Sequence, residues 1–94
     1  MAAGGENLDP AAFEHFVNGD LYELARDMDR AIQEYEKAKA LQPDVNQIRL
    51  ALAQAYLKVR RVEPAKAELL GIEPKDALTY NLLGECYRAL GQTD

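Results

Sequence analysis

Apolar and polar residues follow a helical period along most of the chain. Between residues 28 and 41, Ala31, Tyr35 and Ala38 fall on one helical face, while charged residues occupy the other. The run IRLALAQAYL, residues 48–57, is instead apolar nearly all round, which is typical of a helix packed on both sides. The pattern therefore predicts an all-α chain in which this helix lies between others.

Capping residues and prolines define the expected ends of five helices. The features that can start a helix are Asp9 followed by Pro10, Asp27, Asp44 with Gln47 reaching back to it, Pro64, and Asp76. The first two helices are expected to cover residues 10–25 and 28–41, with Pro43 just beyond. Gly71 is expected to end a short fourth helix in the left-handed conformation, and Gly91 to follow a fifth helix that runs to Leu90.

The chain also repeats itself. A shift of 34 residues aligns Gly19 with Ala53, Tyr22 with Tyr56, Ala31 with Ala65, and Tyr35 with Leu69. A shift of 31 then aligns Pro43 with Pro74, Leu52 with Leu83, Ala53 with Gly84, and Tyr56 with Tyr87. The difference falls between Leu69 and Pro74 and is close to one helical turn. We therefore expect a flexible tail (residues 1–8) and a domain (9–94) with repeats at about 12–45 and 46–76 and a truncated third at about 77–94.

Small residues recur where the helices of each pair would cross. They are Gly19, Ala53 and Gly84 on the first helices, and Ala31 and Ala65 on the second helices. The tyrosines three residues after the first set are expected to fill the space between helices. Helices of this kind find neighbours more readily in a stack than in a closed bundle. The expected fold is an open, right-handed superhelical stack of antiparallel helix pairs.

This register resembles the tetratricopeptide repeat, whose pattern runs aromatic, Leu-Gly, Tyr, Ala, Phe, Pro over about 34 residues. The matching residues are His15, Asn18, Gly19, Tyr22, Ala31, Tyr35 and Pro43 in the first copy; Arg49, Leu52, Ala53, Tyr56, Ala65, Leu69 and Pro74 in the second; and Tyr80, Leu83, Gly84 and Tyr87 in the third. The departures are His15 and Arg49 in place of an aromatic, Asn18 in place of leucine, and Arg26 and Arg60 at turns where glycine is common. They weaken the first interhelical contact, so the N-terminal helix is expected to fray more readily than the third.

The resemblance implies a concave groove, lined mainly by the first helix of each repeat, that accepts a peptide from another protein. The groove sites implied by the register are Phe13, Phe16, Asp20, Glu23, Gln47, Leu50, Gln54, Leu57, Lys58, Leu78, Asn81, Glu85 and Arg88. Of these, Phe13, Phe16, Leu50 and Leu57 are expected to form an exposed apolar strip. In an alternative interpretation, the two phenylalanines only cover the N-terminal end of the stack.

One known use of this family, clamping the carboxylate tails of chaperones, needs Lys, Asn and Arg at set groove sites. The corresponding positions hold Phe16, Asp20, Ala51, Leu78 and Leu82. The sequence therefore disfavours a chaperone-tail adaptor.

Charge and composition narrow the other possibilities. The net charge of −5 repels phosphate backbones and disfavours nucleic acid as a partner. The most apolar stretch, residues 48–59, is far shorter than the roughly 20 residues of a membrane span, so we expect no membrane insertion. The single cysteine, Cys86, excludes an internal disulfide and fits a reducing compartment such as the cytoplasm without proving one.

No residue set in the sequence indicates catalysis. His15 is the only histidine, and a packing role is expected because Glu14, its neighbour in sequence, points elsewhere on a helix. Cys86 is expected to be a small buried hydrophobe. The sequence has no glycine-rich phosphate loop and no metal-ligand spacing. We therefore expect no enzyme activity, metal or cofactor.

Two function classes remain open. The first is a peptide-binding adaptor, in which the acidic cluster Asp20, Glu23, Asp27 and Asp29, together with Glu85, favours a basic or neutral segment; such charges are otherwise a solvated face. The second is self-assembly, or contact with further repeats, through the fifth helix. The residues expected on that uncovered face are Leu82, Leu83, Cys86, Tyr87 and Leu90.

Overall fold

A computed structural model describes residues 8–91 of the chain, and within that range it contains helices and no strands. The helices are α1 (Pro10–Leu24), α2 (Met28–Leu41), α3 (Asn46–Lys58), α4 (Val62–Leu70) and α5 (Ala77–Ala89). Each packs chiefly against the helices that precede and follow it in the chain. The array measures 42 × 34 × 18 Å, a flat, elongated body. The expected all-α helical-repeat fold with five helices is confirmed for these residues.

Most of the predicted tail and the last three residues of the third repeat lie outside the described residues. Leu8, which the sequence analysis placed in the tail, is partly buried against Ala38, Val45 and Ile48. The packed domain therefore includes this residue. The repeat boundaries themselves stay predictions.

Three helix starts are confirmed by their side-chain caps. The Asp9 carboxylate accepts hydrogen bonds from the backbone N–H groups of Ala11 and Ala12, at 3.0 and 3.4 Å. Asp27 accepts from the N–H of Arg30 at 3.3 Å, and Asp76 from that of Thr79 at 2.9 Å. These bonds satisfy N–H groups that have no partner inside the helix, which is why the three helices begin where the local sequence predicts.

The predicted cap of α3 was wrong. This helix begins at Asn46, after Val45, and no side chain caps it. Val45 is buried with Ala38 and Ile48, so apolar packing decides how the chain enters α3. Asn46 uses its side-chain amide instead to donate to the carbonyl of Glu73, at 2.9 Å. Contacts with residues distant in sequence, and not a cap at Asp44, therefore decide where α3 begins.

The predicted left-handed conformation of Gly71 was also wrong, because its φ is −81°. The left-handed turns lie at Arg26 and Arg60, both with φ of 65°, and at Gly91 with φ of 71°. Two of these three equivalent positions thus hold arginine in a conformation that favours glycine. At Gly71 the missing side chain serves a different purpose, since a Cβ there would lie 2.6 Å from the guanidinium of Arg49.

The core joins all five helices through small residues and tyrosines. Ala31, Ala53 and Ala65 are fully buried, as the crossing pattern predicts. The closest crossing is at Gly19, where an added Cβ would lie 2.4 Å from the buried ring of Tyr35. The remaining core members are Ile32, Leu52, Ala55, Tyr56, Leu69, Ile72, Leu83 and Cys86. The α1–α2 pair therefore depends on glycine at position 19.

Gly84 occupies the equivalent position on α5 but is not part of such a crossing. A Cβ added there would meet only the side chain of Arg88, at 3.5 Å. No described helix packs over this part of α5. The sequence analysis expected the third repeat to be truncated, so a close crossing at this residue stays a prediction.

We expect Gly19→Ala and Gly84→Ala to change stability in opposite directions. Gly19→Ala should lower the free energy of unfolding by about 1 to 3 kcal/mol, because the ring of Tyr35 is enclosed and cannot move away cheaply. Gly84→Ala should raise it by about 1 kcal/mol, because alanine is the better helix former and its methyl group has room. Urea unfolding followed by circular dichroism at low protein concentration measures both. Equal effects would contradict the packing described.

Candidate functional site

Two depressions border α3, one on each flank. The first, between α1 and α3, has a volume of about 370 Å³ and is lined by Asp20, Glu23, Leu24 and Lys58. Lys58 reaches across from α3 and places its amine 2.6 Å from a carboxylate oxygen of Glu23. Leu24 is 80% exposed beside this ion pair. The first depression thus combines two carboxylates, one amine and an uncovered leucine.

The buried hydroxyl of Tyr35 contacts both of the carboxylates that line the first depression. It lies 2.5 Å from a carboxylate oxygen of Asp20 and 2.6 Å from one of Glu23. A phenol has a single proton, so it donates to one carboxylate at a time. Burial and the two carboxylates raise the pKa of Tyr35 far above its ordinary value, which keeps the hydroxyl a donor. This buried tyrosine therefore hydrogen-bonds to one of the two carboxylates at a time.

Glu23 stays ionised although it is partly buried. Burial alone would raise its pKa, but hydrogen bonds from Lys58 and Tyr35 and the charge of Lys58 outweigh that effect and lower it. The carboxylate consequently carries its charge at neutral pH. The net charge of the depression is about −1, counting both carboxylates and the amine of Lys58.

The second depression lies between α3 and α5 and has a volume of about 190 Å³. Its lining residues are Asn46, Gln47, Leu50, Ile72, Pro74, Asp76 and Thr79. Leu50, Ile72 and Pro74 make it largely apolar. Several polar groups at its edge already have partners: the amide of Asn46 donates to Glu73, and the carboxylate of Asp76 accepts from both the N–H and the hydroxyl of Thr79.

The structure brings five of the predicted groove residues to these depressions. Asp20, Glu23 and Lys58 line the first, while Gln47 and Leu50 line the second. The other predicted residues lie outside both, with Phe13, Leu78, Asn81, Glu85 and Arg88 exposed and Phe16, Gln54 and Leu57 partly buried.

The expected exposed apolar strip requires correction. Phe16, Leu50 and Leu57 are partly buried and pack against the core, and the ring of Phe16 lies 5.6 Å from that of Tyr35. Only Phe13 is widely exposed, at 54%. Phe16 and Leu57 belong to crowded helix interfaces and support the groove, whereas Leu50 keeps part of its surface in the second depression.

The sequence analysis missed Leu24. The spacing between Asp20 and Leu24 could have indicated it, because Leu24 lies one helical turn after Asp20 and therefore on the same face of α1. The expected acidic cluster of four is also divided. Asp27 caps α2 and pairs with Arg30, whereas Asp29 lines a separate polar depression with Arg61.

A buried ion-pair network was missed as well. Glu68 is only 7% exposed and pairs with Lys39 from α2 and, at 3.2 Å, with Arg49 from α3. Arg49 occupies the repeat position where an aromatic is usual, and it passes over Gly71 to reach the carboxylate. A buried charge needs such partners. An arginine at an aromatic position, Arg49, followed by Glu68 in the next helix could therefore have indicated this ion pair from the sequence.

His15 and Cys86 take structural positions. The Nδ1 atom of His15 lies 2.7 Å from a carboxylate oxygen of Glu34, which lowers the pKa of Glu34. Cys86 is fully buried, and that burial raises the pKa of its thiol. Residues 8–91 contain no group of three or more His, Cys, Asp or Glu side chains arranged to hold a metal ion.

The face of α5 is smaller than expected. Leu83 and Cys86 are buried inside the fold, so they are not available to a partner, which corrects the predicted surface. Leu82, Tyr87 and Leu90 are only partly exposed, and the amine of Lys66 lies 5.3 Å from the ring centre of Tyr87. The exposed apolar residues of α5 are instead Leu78 and Tyr80.

Stacked helix pairs whose first helices border open depressions define a helical-repeat protein. Residues 18–45 match the family model described as tetratricopeptide repeat, which confirms the resemblance over the second half of α1 and all of α2. No curated protein matches the chain. Residues 18–45 are therefore similar to a tetratricopeptide repeat, a unit typical of non-catalytic protein-interaction modules. None of the helices described is long and apolar enough to cross a membrane.

We expect Tyr35→Phe to raise the pKa of Glu23, because the variant removes one of the hydrogen bonds that lower it. It should also reduce the free energy of unfolding at neutral pH by about 1 kcal/mol. Since the pKa of Glu23 is lowered in the folded state, its contribution to stability is present above its unfolded pKa and is lost as the pH falls through its folded pKa. The stability difference between the variant and the wild type should therefore narrow in acid.

Carboxyl NMR titration and urea unfolding at several pH values measure these effects. Tyr22→Phe is the matched control, because the Tyr22 ring stacks under Arg30 and no hydrogen bond of its hydroxyl is seen within residues 8–91. An unchanged Glu23 titration in Tyr35→Phe would remove the tyrosine from its assigned role.

Proposed function

We propose that this chain is a peptide-binding adaptor module without catalytic activity, and that a segment of another protein binds across the face formed by α1, α3 and α5. The observation that carries the proposal is the pair of depressions flanking α3, one charged and one apolar. Binding sites in proteins are typically concave and combine apolar lining with a few placed polar groups.

Exposed apolar side chains on the same three helices support the proposal. Leu24 borders the charged depression, and Phe13 and Leu78 lie on the predicted groove face of α1 and α5. A single exposed leucine is ordinary on a protein surface. Here, however, Leu24 stands beside a concave charged site, the arrangement in which a buried apolar anchor contributes most to binding.

The polar groups around the depressions are held in place before any partner binds. Tyr35 fixes Asp20 and Glu23, and Thr79 fixes Asp76. A site that is already ordered loses less conformational entropy on binding than one that must assemble. This order favours recognition of a short segment, which brings limited contact area of its own.

We expect Leu24→Asp and Leu78→Asp each to weaken binding of peptides selected against the wild type from an unbiased display library. The loss should be at least tenfold, because a charge replaces an apolar contact at the groove. Fluorescence polarisation with labelled selected peptides measures it, and circular dichroism confirms that helicity is kept.

Leu41→Asp and Leu70→Asp are the matched controls. These leucines are 49% and 47% exposed, but they end α2 and α4, which are not part of the proposed binding face of α1, α3 and α5. Both controls should bind like the wild type. Loss of binding in the controls, with wild-type affinity in the groove variants, would place the site on the other face.

A second candidate function is self-assembly through α5. By the internal repeat, Tyr80 and Gly84 correspond to His15 and Gly19, which are covered by α2. Tyr80 is 61% exposed, and no described residue outside α5 approaches Gly84 closely. A helix of a second copy would cover this stripe.

If α5 mediates self-assembly, sedimentation velocity should show a dimer whose fraction grows with concentration from micromolar to millimolar. Gly84→Leu should abolish it by filling the crossing point, and Tyr80→Glu by placing a charge there. Leu41→Asp should leave the dimer intact. A monomer throughout this range would exclude the α5 contact as an assembly surface.

A further inference from the structure

The two depressions differ in chemistry, and α3 fixes the distance between them. Leu50 lines the apolar depression and Lys58, eight residues later, lines the charged one. Eight helical residues span about 12 Å along the axis. The depressions also lie on opposite flanks of α3, which adds a sideways step of about 8 to 10 Å. Their separation is therefore roughly 15 Å.

The apolar depression fits an apolar side chain. Leu50, Ile72 and Pro74 provide the contact surface, and the nearby groups of Asn46 and Asp76 already hydrogen-bond to Glu73 and Thr79. An entering apolar group therefore displaces water without breaking those bonds. A charged or strongly polar side chain would lose more hydration, and the polar groups it would meet there are the amide of Gln47 and the carboxylate of Asp76.

The charged depression fits a cation. Tyr35 can donate its one proton to either Asp20 or Glu23, and within residues 8–91 the carboxylate that pairs with Lys58 is that of Glu23. The Asp20 carboxylate therefore remains the less neutralised of the two. A guanidinium presents several donors in one plane and can bond two carboxylate oxygens together. The exposed Leu24 offers an apolar surface to the stem of an arginine.

We infer that the segment bound by this module is extended and carries an apolar residue and an arginine separated by four or six positions, the apolar side chain entering the α3–α5 depression and the guanidinium bonding Asp20 and Glu23. An extended chain advances about 3.3 Å per residue, so four residues span about 13 Å and six about 20 Å, the two even separations on either side of roughly 15 Å. Because side chains alternate between faces, only even separations direct both toward the protein. This inference rests on the proposed function and names the ligand class of the same site.

The test uses synthetic labelled peptides in which one leucine and one arginine stand four, five or six residues apart in a Ser/Thr background. The four- or six-residue spacing should bind at least fivefold more tightly than the five-residue spacing, measured by fluorescence polarisation. Replacing arginine by citrulline should weaken binding, and replacing it by glutamate should weaken it further. Binding that does not depend on even spacing would overturn the extended two-point contact.

Variants of the protein test the charge of the site in two directions. Asp20→Asn should weaken the arginine peptide about fivefold. Lys58→Ala should strengthen it severalfold, because Lys58 competes with the arginine for Glu23. If the natural ligand were acidic, Lys58→Ala would weaken binding and the inference would fail. Asp29→Asn and Lys37→Ala are the controls, since these residues lie on α2 and line neither depression.

The display selection separates failure of this inference from failure of the proposed function. Selected peptides that depend on Leu24 and Leu78 but lack the apolar-arginine pair would overturn the inference and keep the adaptor function. Peptides that bind equally well to all the leucine variants would overturn both. Enrichment of the pair at even spacing, lost with Asp20→Asn, would support both.

Discussion

The close approach of α1 and α2 at Gly19 is the contact on which the site depends. A side chain at this position would occupy the space of the Tyr35 ring, so only glycine lets the tyrosine enter. Once there, the ring packs beside Phe16 and the hydroxyl emerges between Asp20 and Glu23. Packing inside the helix pair and the placement of charge at its surface are therefore set by one residue.

The position of α3 depends on a polar contact where the repeat usually has an aromatic one. Arg49 extends over Gly71 to the buried Glu68, which also binds Lys39. The desolvation of these charges offsets much of their attraction, so the network contributes geometry more than net stability. This ion-pair network fixes the position of α4 against α3. The segment after α4 supplies Ile72 and Pro74, so the apolar depression depends on this geometry.

The sequence predicted what local chemistry and the repeat decide. Caps at Asp9, Asp27 and Asp76 depend on neighbours within three residues, so they could be read directly. The cap at Asp44 was predicted wrongly because Val45 packs against Ala38 and Ile48. The conformation of Gly71 was predicted wrongly because Arg49 of α3 packs over it. Both contacts join residues from different elements, which local sequence does not reveal. The groove face inferred from the register stays a prediction. The exposure of its side chains was predicted wrongly, because crowding at helix interfaces decides which residues are covered.

In the binding mode that we propose, Lys58 gives the charged depression selectivity at the expense of affinity. In the free protein its amine partly neutralises Glu23 and keeps that carboxylate ionised despite burial. A neutral segment gains nothing from displacing it, since the displaced contact would not be replaced. An arginine does replace it, and it can also bond Asp20, which Lys58 is not seen to contact. In the proposed binding mode, discrimination arises from the difference between one carboxylate contact and two.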